Sequence, residues 1–85
     1  HRVLVVDDIA DNLILLQTVL ESEGYLVETA QSGKAALDKL ETVEPDIVLL
    51  DIMMPGLNGY EVTRRVRENE RFASVPIVLL TAHDE

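Results

Sequence analysis

The chain has 85 residues, enough for one domain, and its 47% of hydrophobic residues supplies the apolar material for a folded core. Sixteen acidic against seven basic side chains leave a net charge of −9, which repels a phosphate backbone and argues against direct nucleic-acid binding. No apolar stretch reaches the roughly 18 residues of a membrane span, and the lack of cysteine excludes disulfides and thiolate metal ligands, so a soluble, cytoplasmic domain with no membrane contact is expected.

In chain order, Arg2–Val6 is a short apolar run that predicts a strand and delivers Asp7 and Asp8 at its end. A helix is predicted from Asp11 to about Ser22, with Gly24 as its stop signal. Its apolar positions, Leu13, Ile14, Leu15, Leu16, Val19 and Leu20, make a stripe wider than one sheet contact needs, so something else is expected to cover its flank. Leu26–Ala30 is a less apolar strand and suits a sheet edge. Ser32 is placed to cap a second helix from Lys34 to about Thr42.

Ile47–Leu50 is the third strand, running directly into Asp51 before Pro55 and Gly56 turn the chain. A third helix is predicted from Gly59 to about Glu70, with Tyr60, Val62 and Val66 on its apolar side and Arg64, Arg65 and Arg67 on a solvated face. Ile77–Leu80 is the fourth strand. Alternating strands and helices of this kind, with continuous Val/Ile/Leu runs, predict an α/β domain around a parallel sheet, helices on both faces and ligands at the carboxyl ends of the strands.

Neighbouring strands lie about 4.8 Å apart. If the first and third pair in parallel, Asp7 and Asp51 meet, although 44 positions separate them. Two carboxylates about 4 Å apart repel by roughly 4 kcal/mol at an effective dielectric near 20, so such a cluster takes up a proton or binds a cation. The donors are hard oxygens with no cysteine or histidine nearby, a set that favours Mg²⁺, or Mn²⁺, over zinc. A role as strand-end turn residue or helix cap is the favoured account of any one of Asp7, Asp8 and Asp51 alone, and the less favoured alternative for all three together.

Val5-Val6-Asp7-Asp8, then Leu49-Leu50-Asp51-Ile52-Met53-Met54-Pro55-Gly56 with Asn58-Gly59, then Pro76-Ile77-Val78-Leu79-Leu80-Thr81-Ala82, resemble the receiver domain of bacterial two-component response regulators, along the whole chain. The resemblance implies a flavodoxin-like doubly wound parallel sheet with strand order 2-1-3-4. It implies that Asp51 is the phosphoacceptor, taking a phosphoryl group from a histidine kinase or phosphotransfer protein. Asp7, Asp8 and Asp51 would bind Mg²⁺ with the backbone carbonyl of Met53. Thr81, which propensity alone reads as a β-branched strand end, becomes the switch hydroxyl, and Ala82 the small neighbour that leaves room for phosphoryl oxygens. Met53, two positions past Asp51, would influence access of water to the phosphoryl group. His83 reads as a solvated loop residue, and Met53 and Met54 as core or rim.

The family continues with a further helix, a fifth strand ending in a lysine, and a last helix, none of which lies within these 85 residues. Residues 1–85 are therefore expected to form a receiver domain incomplete at its C-terminus, whose open edge and apolar flank would favour a dimer or strand exchange. Neither Lys34 nor Lys39 is placed to replace the lysine. The expected role is a signalling module that gates a partner or output domain, not a metabolic enzyme. Two alternatives stay open: a Mg²⁺-dependent phosphatase with an aspartyl nucleophile, disfavoured because Met53 stands where a second acid is wanted, and a protein-binding domain independent of phosphorylation.

Overall fold

The apolar runs form four strands: β1 (Arg2–Val6), β2 (Leu26–Ala30), β3 (Ile47–Asp51) and β4 (Ile77–Leu80). The computed structural model describes residues 1–80, in which helices α1 (Ala10–Ser22), α2 (Gly33–Val43) and α3 (Gly59–Glu68) alternate with the strands. All pairings are parallel and the sheet order is β2-β1-β3-β4, so the expected α/β topology holds and the less apolar β2 is an edge.

The uninterrupted hydrophobicity of β1 follows from its central place, with both faces covered. Val3 and Val5 join Leu13 of α1 and Val27 in one cluster, while Leu4 and Val6 face the other way into a larger one with Ala36 and Leu40 of α2 and Val62 and Val66 of α3. β3 divides likewise: Val48 and Leu50 lie in the larger cluster, Ile47 and Leu49 against the smaller. On β4, Ile77 and Leu79 pack onto the larger cluster, whereas Val78 is exposed.

Local signals set the helix ends. The Ser32 hydroxyl accepts from the Ala35 amide at 3.1 Å, as expected of a cap, and Gly24 has φ +95° just past α1. At α3 the Asn58 side chain accepts from the Glu61 amide at 3.0 Å while Glu61 accepts from the Asn58 amide at 3.4 Å, a reciprocal capping box.

Three expectations need amendment. Tyr60, expected on the apolar side of the third helix, is 62% exposed, because it lies off the i, i+4 line along which Val62 and Val66 are buried. The third helix stops at Glu68, and Asn69 starts a short 3-10 turn, Glu70–Phe72, that buries Phe72 in the larger cluster. The cause is Asn69, whose side chain accepts from the Arg71 amide at 3.0 Å in competition with the helix. Arg67 is exposed but is not purely solvated, because its guanidinium donates to the carbonyls of Ala73 (2.8 Å) and Val75 (2.7 Å). Arg71 joins the turn to the end of α2 through Glu41 and Glu44.

The wide stripe of α1 is only partly used. Leu13 is buried and Leu16 and Leu20 pack against the smaller cluster, but Ile14, Leu15 and Val19 are at least half exposed.

Candidate metal centre

Parallel pairing of β1 with β3 puts Val6 opposite Leu50, so the next residues, Asp7 and Asp51, leave adjacent strands side by side. The Asp7 amide still donates to the Ala30 carbonyl of β2 at 3.1 Å, and Asp51 still pairs with Leu80 of β4. Both aspartates therefore sit on the last rungs of the sheet, held by strands on either side. Asp7, Asp8 and Asp51 each offer a carboxylate oxygen, and the three oxygens lie within 4.8 Å of one another. Asp7 and Asp51 are buried and Asp8 is more open to solvent.

Backbone amides orient the two buried acids. Asp7 Oδ1 accepts from the Ile9 amide at 2.9 Å, and Asp51 Oδ1 accepts from the Met53 amide at 3.0 Å. A side chain completes the first of these: Asn12 Nδ2 donates to Asp7 Oδ2 at 3.2 Å. Burial raises the pKa of Asp51 above its ordinary value of 3.8; the Met53 amide opposes this, and the charges of Asp7 and Asp8 push it further up. Among the described residues, no ion pair reaches any of the three acids.

These residues fit a hard divalent cation. The donors are carboxylate oxygens, two of them on buried residues, gathered without a countercharge among the described residues, and spaced so that about 2.1 Å bonds could reach a common centre with water completing the shell. One member of the cluster is already pushed towards holding a proton, which is how the repulsion is relieved when no cation is bound.

The surroundings resolve several residues that the sequence left open. Met54 is buried in the larger cluster, whereas Met53 stands 69% exposed at the rim. Ile52, Met53, Met54, Asn58 and Tyr60 line a shallow cleft of about 400 Å³ beside the acids. Gly56 has φ +74°, the left-handed turn conformation that glycine adopts freely. Gly59 serves close approach: a Cβ there would lie 2.7 Å from Ile52 Cα and 2.8 Å from the Asp51 carbonyl oxygen. Lys39 is engaged elsewhere, donating to the Thr29 carbonyl at 2.6 Å and pairing with Glu28. Thr81, Ala82 and His83 lie outside the described residues.

Sequence reasoning missed two contributors. Asn12 carried only a helical-position signal, and its contact with Asp7 depends on how α1 leaves β1. Asn58 could have been found, since Asn-x-x-Glu ahead of Val62 is a capping-box pattern.

The family model described as "Response regulator receiver domain" matches residues 3–85. The chain belongs to this receiver-domain family. Among curated relatives, the receiver domain is 46% identical over 83 residues to response regulator PleD of Caulobacter vibrioides, covering 98% of this chain and 18% of the relative. It is also 46% identical over 84 residues to the alkaline phosphatase synthesis transcriptional regulatory protein PhoP of Bacillus subtilis, covering 99% of this chain and 34% of PhoP. The chain thus spans about a third or less of these two regulators.

Solved structures agree with the receiver fold. The N-terminal domain of a response regulator receiver protein from Methanoculleus marisnigri superposes with a TM-score of 0.94 at 38% identity, over 99% of this chain and 68% of that one. The response regulator TrrA of Thermotoga maritima, solved in complex with Mg(2+)-BeF, gives 0.88 at 42% identity, over 98% of this chain and 70% of that one. No helix among the described residues is long and apolar enough to cross a membrane.

Proposed function

We propose that this receiver domain accepts a phosphoryl group on Asp51 from a phosphohistidine of a histidine kinase or phosphotransfer protein, and that the resulting acyl phosphate switches its contacts with an output domain or downstream protein. The observation that supports this most directly is the convergence of Asp7, Asp8 and Asp51 at the ends of adjacent strands, without a countercharge among the described residues. The related TrrA structure, solved in complex with Mg(2+)-BeF, supports Mg²⁺ as the cation, with Mn²⁺ as a substitute by its similar hard-oxygen chemistry.

The chain's own residues divide the work. The Met53 amide holds Asp51 Oδ1 and so orients the carboxylate, with Oδ2 as the proposed attacking oxygen. A phosphorus–oxygen bond forms to Oδ2, the phosphorus–nitrogen bond of the donor breaks, and the donor imidazole leaves with the electron pair and takes up a proton. Asp7, Asp8 and Asp51, with the Met53 carbonyl, would hold the cation, which when bound would neutralise phosphoryl oxygens and the acids themselves. Thr81 is the proposed switch hydroxyl. Covalent self-modification of this kind makes the domain a signalling module rather than a turnover enzyme, and coupling to a histidine kinase would place it in the cytoplasm.

The test is incubation of the protein with Mg²⁺ and a small acyl-phosphate donor. One phosphoryl group should be gained, be removed by hydroxylamine, and be absent from Asp51→Asn. A gain that persists in Asp51→Asn would remove the nucleophile from this scheme.

A further inference from the structure

We propose that Asn12 is a positioning residue for the cation, setting the orientation and charge balance of Asp7 from the first turn of α1; this rests on the metal reading above. Asp7 has one N–H donor on each oxygen, Ile9 on Oδ1 and Asn12 on Oδ2, so its plane is fixed from two sides. A carboxylate offers about four lone-pair positions, and the two left over serve the ligand.

Asn12 is itself held in place. Its backbone amide donates to the Ile9 carbonyl at 3.0 Å, and the next residue, Leu13, is the buried anchor of α1 against β1 and β2. The donor is therefore tied to the core, although its side chain reaches the rim of the acid cluster.

The type of donor matters as much as its place. An amide orients a carboxylate without neutralising it, so all three negative charges remain available to a divalent ion. An ammonium at the same position would act as a built-in countercharge and compete with that ion, whereas a carboxylate would add a fourth repelling charge. Asn12 is thereby predicted to hold apart two properties that its substitution would couple: stability without metal and affinity for metal.

Three variants separate this from a purely structural role, with Mg²⁺ binding followed by calorimetry and thermal melting recorded with and without Mg²⁺. Asn12→Ala should weaken Mg²⁺ binding about three- to tenfold, at or below the usual range for a lost outer-sphere hydrogen bond because this site is partly exposed. Asn12→Asp should lower the metal-free melting temperature and enlarge the rise on adding Mg²⁺. Asn12→Lys should raise the metal-free melting temperature and shrink that rise. Unchanged Mg²⁺ affinity in Asn12→Ala, or equal Mg²⁺-induced rises in all variants, beside a responsive wild type, overturns this inference alone. A wild-type protein with no response to Mg²⁺ overturns the metal reading and this inference together.

Discussion

At Asp51 the requirements of folding and of chemistry oppose one another. Its pKa is raised chiefly by burial, so the native state holds the proton more tightly than the unfolded chain. Below the ordinary value of 3.8 the group is protonated in both states and the folded form carries no penalty. As pH rises through the raised native value, that favourable contribution is lost. Metal-free Asp51→Asn should therefore melt a few degrees above wild type at pH 7, and the difference should close as the pH is lowered through this window. Mg²⁺ at about 100 times its dissociation constant should return about 2.7 kcal/mol to the wild type, measured as a shift of the denaturation midpoint, and much less to the variant. Much of this site was legible from residue type, because three aspartates gathered at the ends of apolar runs repel one another unless a cation or a proton joins them. Asn12 was not legible, since nothing in its sequence position reveals that its amide meets Asp7.

Among the elements, α3 shows how tightly the site is coupled to its supports. Asn58 caps the helix, and the following Gly59 lies against the backbone that carries Asp51. Asn58→Ala should cost about 1 kcal/mol in chemical denaturation by leaving the first turn's amides without a partner. Gly59→Ala should cost about 1–3 kcal/mol, the usual range for an overpacked position, and should also displace Asp51, so Mg²⁺ binding falls with stability in that variant only. The strand and helix alternation was readable because Val3–Val6 and Ile47–Leu50 are continuous apolar runs packed against clusters on both faces of the sheet. The end of α3 was harder, because the polar run from Arg64 to Arg71 has no hydrophobic period to mark where the helix yields to Asn69.

The whole molecule is covered unevenly. One face of the sheet carries α2 and α3 over the larger cluster, while α1 supports the smaller one and leaves Ile14, Leu15 and Val19 exposed on its own surface and Val78 exposed on β4. Apolar groups in this number on a small chain favour association. The 85-residue polypeptide should show a mass that rises with concentration in sedimentation equilibrium, and Leu15→Lys with Val19→Lys should reduce that rise. A monomeric mass at every concentration would exclude it.

The ladder itself carries one more consequence. Asp51 is paired with Leu80 across β3 and β4, and the Ile52 amide donates to the Leu80 carbonyl at 3.0 Å. A substituent that tugs on the acid thus loads a peptide group shared with the neighbouring strand, much as pressure on a hinge pin is felt by both leaves. Deuterium uptake at the Ile52 amide should therefore report the chemical state of a side chain one residue away, with no probe attached to the reacting group.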